Sequence, residues 1–182
     1  RGNFCVILSL LFRGISRSLK VQAAMDGVSL ANALQEGVAA AYSAVMKPAE
    51  GTVLTVSRLA AKRAVEAATE HNSAEYVLQA AIEEGQLALA DTVNQNPVLK
   101  KAGVVDAGGK GFLVILSGML SCLRGEPMPE GADENQPAAS IQDKADFESI
   151  DTESITFAFD TVYIVRKKSE TVDLAPLRAY LD

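Results

Sequence analysis

The sequence predicts a mainly α-helical fold, an antiparallel helical bundle or barrel, followed by an acidic linker and a short, incomplete α/β segment. Two observations favour helices. The 182 residues are 48% hydrophobic, with few aromatic residues and no Trp. The abundant Ala favours helix formation and lets helices pack closely. Apolar residues also recur at helical spacing in several separate stretches.

The apolar spacing predicts five full helices and one short helical turn. The first covers 4–19 and contains an apolar stretch, 5–12. That stretch could pass for the core of a signal peptide, but it lacks a convincing cleavage site and is too short to span a bilayer. We interpret that stretch as part of a buried helix. The other predicted elements are a helix from Ser29, as N-cap, to about Met46, a helix over 52–69, a helix from Ser73, as N-cap, to Thr92, a turn over 97–101 and a helix over 112–123. The last helix is apolar on almost every side, so we expect it at the centre of the bundle.

Charge is distributed unevenly along the chain. The formal net charge is -6, but residues 126–153 contain nine acidic residues and one basic residue, so the remainder carries about +2. This predicts an exposed acidic linker over 126–154. Neither part has the strongly basic surface of a nucleic-acid-binding domain. The β-branched and aromatic residues of 155–165, with a closing helix after Asp173, predict the start of a second, α/β domain over 155–182.

Few residues outside the helix junctions suggest chemistry. Cys5 and Cys122 lie in apolar stretches, which predicts buried thiols in a reducing cytoplasm more than a disulfide bond. His71, the sole His, is in a polar turn and is expected at the surface. No His and Cys residues have the spacing of a metal site, and no Ser, His and Asp set stands out.

Three non-helical junctions, 1–3, 50–52 and 106–109, each precede a predicted helix. Helix N-termini carry unpaired N–H groups and a partial positive charge, so they bind phosphates well. Alternate helix starts lie at the same end of an antiparallel bundle, which would let these junctions share a rim. The glycine-rich stretch 103–111 contains more glycine than a turn requires and suits a phosphate-binding loop, although it lacks the spacing of a P-loop. Ordinary helix capping is the alternative explanation, and the residues alone leave it open.

At these junctions the sequence resembles the L-subunit-like (DhaL-like) nucleotide-binding domain of dihydroxyacetone kinases, most of all the form found in fatty-acid kinase catalytic subunits. The matching stretches are 1–3 with 6–9, 48–56, and 97–100 with 103–109, and the resemblance covers roughly residues 1–125. It implies a helical barrel that holds ATP or ADP at one rim. By position, the implied nucleotide-binding residues are Gly2, Asn3, Gly51, Thr52, Lys100, Asp106, Ala107, Gly108 and Gly109.

The resemblance also implies Mg²⁺ and a partner. Family members transfer the γ-phosphoryl group to a fatty acid on a lipid-carrying partner protein, or to dihydroxyacetone on a partner subunit. The family's aspartate-rich Mg²⁺ loop would precede the first matched junction, and no such stretch occurs in this chain. We therefore assign no metal ligand here, expect upstream residues to supply the metal site, and expect the chain alone to be inactive. The segment 155–182 is similar to the start of the family's middle domain.

A second departure lies at the first junction. The family reads Arg-Gly-Asn-Ser-Gly, whereas this chain has Phe4 and Cys5 after Asn3, so a bulky ring replaces a small hydroxyl. Two hypotheses follow. The chain is the nucleotide-binding domain of a cytoplasmic ATP-dependent kinase, or it is a helical scaffold or regulatory module of the same fold that has lost nucleotide. The sequence leaves the assembly state open, a homodimer included.

Overall fold

A computed structural model of the chain describes residues 3–20, 24–45 and 47–127, together with Pro176. The chain divides into two compact units, residues 1–147 and 148–182, and every helix discussed below belongs to the first. Apart from Glu126, Pro127 and Pro176, the predicted acidic linker and the predicted α/β segment lie outside the described residues.

Six α-helices make up the described part of the first unit. They are α1 (Asn3–Leu19), α2 (Gly27–Ala44), α3 (Val53–Glu70), α4 (Ala74–Gln95), α5 (Pro97–Ala102) and α6 (Ala107–Leu123). The predicted mainly α-helical fold class is confirmed. The predicted helices match the observed ones closely, except at the starts of α2 and α6.

The start of α2 differs from the prediction because Asp26, and not Ser29, is its N-cap. Asp26 Oδ1 accepts a hydrogen bond from the Ser29 N–H at 2.8 Å, and Asp26 Oδ2 accepts one from Asn72 Nδ2 at 3.0 Å. Asn72 Oδ1 in turn accepts the Val28 N–H at 2.8 Å. The cap therefore also joins the start of α2 to the turn between α3 and α4, which a local sequence pattern does not show.

The start of α6 lies at Ala107 and not at the predicted Phe112. Glycine in a helix interior costs about 1 kcal/mol relative to Ala, which is why the glycine-rich stretch suggests a loop. Asp106 offsets this cost as an N-cap, since its Oδ2 accepts the Gly109 N–H at 2.6 Å. Residues 107–111 of the glycine-rich stretch consequently form the first turns of a helix, whereas Gly103 is the C-cap of α5.

Consecutive full helices alternate in direction. A methyl group at Gly27, which starts α2, would lie 2.9 Å from the backbone nitrogen of Ser73, which caps α4. The starts of α1, α3 and α6 meet at the other end, as shown below. α1 packs on α2, α2 on α3 and α4, and α6 on α3 and α4. The largest fully buried apolar side chains between them are Leu11, Leu30, Leu54, Val56, Val77, Leu78, Phe112 and Leu116.

The prediction that the last helix is central is wrong. α6 buries one face, formed by Phe112, Leu113, Leu116 and Leu120, whereas Val114 is 65% exposed. The helix covers the core instead of passing through it. The high apolar content of α6 is therefore not a reliable sign that the helix is central.

The predictions of a buried first helix and of buried thiols are also wrong. α1 buries Leu11 and Ile15, but Val6 is 56% exposed on its outer face. Cys5 and Cys122 are exposed and unbridged, because each lies on the outward side of its amphipathic helix. Within the described residues, no helix combines the length and apolarity needed to cross a membrane.

Candidate functional site

One end of the bundle brings three helix starts together. A methyl group at Gly108, in the first turn of α6, would lie 3.1 Å from Phe4 Cδ2 of α1 and 3.4 Å from Val53 Cβ of α3. The first turns of these helices are therefore in direct contact. For the residues that the structure describes, the predicted meeting of the three junctions is confirmed.

The structure describes all of the predicted nucleotide-binding residues except Gly2, and those of the three junctions lie at this end. Gly2 lies outside the described residues, and Asn3 is the first residue of α1. The second junction supplies Gly51, which is buried, and Thr52, which is the N-cap of α3. The third supplies Asp106, the N-cap of α6, followed in its first turn by Ala107, Gly108 and Gly109.

Gly51 is required by the geometry of the second junction. Its φ is +72°, a left-handed conformation that side-chain-bearing residues rarely adopt, and a methyl group there would lie 2.9 Å from Asn96 N. Asn96 is the N-cap of α5, so the junction also lies against the start of that short helix. The Thr52 hydroxyl donates to the Ala49 carbonyl at 2.8 Å and accepts the Leu54 N–H at 3.3 Å, so it serves the turn and the cap.

A polar network surrounds this junction. Glu50 Oε2 accepts hydrogen bonds from Thr55 Oγ1 at 2.7 Å and from Arg58 Nη2 at 2.8 Å, and Thr55 Oγ1 accepts the Gly51 N–H at 2.9 Å. Arg58 Nε donates to the Tyr42 hydroxyl at 3.1 Å, and that hydroxyl donates weakly to Glu50 Oε1 at 3.4 Å. The Thr55 hydroxyl and then Arg58 lower the pKa of Glu50, so the carboxylate stays ionised. Burial raises the pKa of Tyr42.

Sequence reasoning missed this network. Its members come from α2, the junction and α3, at spacings that form no recognisable motif. The only signal was that Glu50 belongs to a junction already singled out. Arg58 had no signal of its own.

Contacts with α4 hold the start of α6 in place. The Asp106 N–H donates to Thr92 Oγ1 at 3.1 Å, and Thr92 is completely buried. A methyl group at Gly109 would lie 2.8 Å from Val56 Cγ2 and 3.1 Å from Leu89 Cδ1. The first turn of α6 can therefore rest directly on α3 and α4 only because this position has no side chain.

Lys100 lies on α5, exposed, one helical turn beyond Asn96. Since Asn96 adjoins Gly51, α5 begins at the same end of the bundle as the three junctions. The structure therefore places Lys100 in the vicinity of that end, on an element that packs on α4. Its ammonium is a mobile cation suited to an anionic ligand.

No group of three or more His, Cys, Asp or Glu side chains is close enough among the described residues to hold a metal ion. At this end, Glu50 is paired with Arg58, Asp106 caps α6, and Asp91 accepts hydrogen bonds from Asn94 and Gln95. His71 lies in the turn between α3 and α4, at the opposite end, exposed and with its ring 5.5 Å from that of Tyr76.

Comparison with known proteins decides the family. Residues 1–121 match the family model of the DAK2 domain. The chain belongs to the DAK2 domain family. It is 41% identical over 169 residues to protein YloV of Bacillus subtilis, which covers 91% of this chain and 31% of that protein. It is 39% identical over 176 residues to an uncharacterised protein of Staphylococcus saprophyticus, covering 95% of this chain and 32% of that protein.

The resemblance inferred from the three junctions is thereby confirmed, and the chain is a kinase-related domain of the DAK type. An uncharacterised protein of Staphylococcus haemolyticus is also similar, with 40% identity over 167 residues. This DAK2 domain chain spans about a third of the length of the curated relatives it matches.

Proposed function

We propose that this DAK2 domain binds ATP and ADP at the end of the bundle where α1, α3 and α6 begin. The observation that carries the proposal is the contact among the three helix starts at Phe4, Val53 and Gly108. We further propose that the whole protein is an ATP-dependent phosphotransferase of the fatty-acid kinase type. It would form an acyl-phosphate on a fatty acid carried by a partner protein, or act on dihydroxyacetone held by a partner subunit.

Electrostatics supports an anionic ligand at this end. Each helix N-terminus carries the equivalent of about +0.5 elementary charge and each C-terminus about -0.5. Three N-termini converge here, and α2 and α4, which run the other way, end here and offset part of that charge. Arg58 neutralises Glu50, so that carboxylate repels an approaching phosphate less. Asp106 offsets part of the charge at α6, but Lys100 adds a cation nearby. A nucleotide phosphate chain fits this balance better than a neutral ligand does.

Four of the predicted residues have a defined role under this proposal. The backbones of Gly2 and Gly108 would approach phosphate oxygens, and Gly51 and Thr52 would lie beside the nucleotide. Phosphoryl transfer also depends on Mg²⁺ to neutralise charge. The family's aspartate-rich loop does not occur in residues 1–182, so we expect these residues alone to show no Mg²⁺-dependent turnover.

Calorimetric titration of the full-length protein with ATP and Mg²⁺ tests the proposal. Gly108→Val and Gly118→Val are a matched pair, since both place the same side chain on α6 but Gly118 has no atom within 4 Å of an added methyl group. We expect Gly108→Val to weaken ATP binding about tenfold or more, equivalent to about 1.4 kcal/mol, and Gly118→Val to leave it unchanged. Equal ATP affinities for the two variants would place the nucleotide elsewhere.

A second candidate function, a helical scaffold that has lost nucleotide, is favoured by the position of Phe4. Its ring lies over the glycine face of α6, since methyl groups at Gly108 and Gly111 would be 3.1 Å and 3.2 Å from it. The ring therefore covers the backbone that a phosphate would approach. If the full-length protein gives no heat at millimolar ATP and Phe4→Ser restores binding, the scaffold is its present function.

Cytoplasmic location, a lipid-carrying or dihydroxyacetone-binding partner, and homodimer formation remain predictions. The partner proposal rests on the resemblance to fatty-acid kinase catalytic subunits alone. Co-purification of the full-length protein with a fatty-acid-binding partner, followed by an acyl-phosphate assay, would test that part directly.

A further inference from the structure

We propose that Thr55 is a positioning residue for the Gly51–Thr52 junction, and that Glu50 and Arg58 set the direction of its hydroxyl. This inference rests on the proposed nucleotide site, because it gives the junction's shape a consequence for nucleotide affinity. It concerns side chains that do not themselves have to touch the nucleotide.

The Thr55 hydroxyl links the Glu50 carboxylate to the Gly51 amide. The Thr55 hydroxyl has one proton, and it donates that proton to Glu50 Oε2 at 2.7 Å. Its lone pairs are therefore available to the Gly51 N–H, which it accepts at 2.9 Å. Arg58 donates to the same Glu50 oxygen at 2.8 Å and so keeps the carboxylate in place. The chain of contacts runs from a partly exposed ion pair to a buried backbone amide.

The Gly51 amide needs this acceptor. Gly51 is buried and left-handed, and it lies against Asn96 N, so the turn has little freedom to rotate its N–H toward water. A buried N–H without a partner carries a desolvation penalty, which favours any displacement that restores a partner. Removing the Thr55 hydroxyl would therefore favour a displaced junction, and the junction lies at the end where α1, α3 and α6 begin.

Another buried hydroxyl on α3, that of Ser57, helps to separate an effect on the shape of the junction from an effect on the stability of the helix. Ser57, two residues further along α3, donates to the Leu54 carbonyl of its own helix at 3.0 Å. Thr55 is equally buried, at 1% exposure, yet bonds out of the helix to the preceding junction. Thr55 is also not the N-cap of α3, because Thr52 is. Ser57 is accordingly the matched control.

The test compares four variants of the full-length protein, Thr55→Val, Thr55→Ser, Glu50→Ala and Ser57→Ala. ATP affinity is measured by calorimetry, Gly51 amide exchange by NMR, and thermal stability by the unfolding midpoint. We expect Thr55→Val to weaken ATP binding about five- to tenfold and to speed Gly51 exchange, the effect of one lost hydrogen bond. Thr55→Ser should restore both, and Glu50→Ala should weaken binding by a smaller factor.

Ser57→Ala removes an equally buried hydroxyl from the same helix and should change neither ATP affinity nor Gly51 exchange, so loss of a buried hydroxyl from α3 does not by itself weaken binding. If the wild-type protein binds ATP and Thr55→Val binds it equally well, the inference is overturned and the proposed function stands. If the wild-type protein binds no ATP, both are overturned. If Thr55→Val fails to fold, Thr55→Ser and Glu50→Ala decide, and unchanged affinity and Gly51 exchange in Glu50→Ala overturn the inference.

Discussion

Gly14 lies where α1 crosses α2, and the nearest atoms to a methyl group added at Gly14 all belong to the backbone of α2. A methyl group at Gly14 would lie 2.5 Å from the Glu36 carbonyl oxygen and 2.6 Å from Gly37 Cα. Relaxed contacts between such atoms are about 3.5 Å, so Gly14→Ala requires the two helices to separate by about 1 Å. Neither backbone atom can rotate aside as a side chain would. The neighbouring core residues Leu11 and Ile15 would lose part of their packing.

The expected magnitude follows from two opposed effects. Overpacking a core costs about 1–3 kcal/mol, and contact with backbone on both sides favours the upper half of that range. Ala stabilises a helix by about 1 kcal/mol relative to Gly, which offsets part of the cost. We therefore expect Gly14→Ala to lower the free energy of unfolding by about 1–2 kcal/mol.

Urea unfolding of the 182-residue chain, followed by far-ultraviolet circular dichroism, measures this difference. Gly118→Ala is the control, because it is also in a helix interior but has no atom within 4 Å of the added methyl group. It should raise the free energy of unfolding by about 0.5–1 kcal/mol through helix propensity alone. If Gly14→Ala stabilises the chain as Gly118→Ala does, the close crossing of α1 and α2 is refuted.

Two further predictions concern a titration and the thiols. Hydrogen bonds from Ser29 and then Asn72 lower the pKa of Asp26 from 3.8 to about 2, so its stabilisation is complete above about pH 4 and is lost as the pH falls through 2. Unfolding free energies measured between pH 5 and about pH 2 should fall less steeply in Asp26→Asn, and equal slopes in the two proteins would contradict the cap. Cys5 and Cys122 should both react with a maleimide in the folded protein, because both are exposed; protection of either until urea is added would contradict its position.

Much of the helical architecture could be predicted from the sequence, since periodic apolar residues place α1, α3 and α4 within a few residues of their observed bounds. The errors arose where tertiary contacts outweigh local pattern. Asp26 caps α2 because Asn72, far along the chain, holds its second oxygen. Apolar content placed α6 at the centre, but the helix needs only one buried face, and Val114 is left in solvent.

The candidate site was predictable only in outline. Alternating helix directions were enough to expect that the three junctions meet. The contacts that shape the second junction were not, because Tyr42, Glu50 and Arg58 come from separate elements and no spacing rule relates them. Phe4 was recognised as unusual, but its sequence neighbours give no sign that its ring would lie over glycines more than a hundred residues away.

The three glycines in the first turns of α6 are explained by packing against neighbouring side chains. Gly109 is required by Val56 and Leu89, and Gly108 and Gly111 make room for Phe4, so close packing accounts for all three. Glycine content is therefore not evidence for a phosphate loop in this chain. Antiparallel packing by itself brings the starts of α1, α3 and α6 to one end, together with the oppositely charged ends of α2 and α4, so helix direction gives only part of the case for an anionic ligand. Family membership carries the rest, and the proposal is tested most sharply at Gly108, where Phe4 covers the backbone.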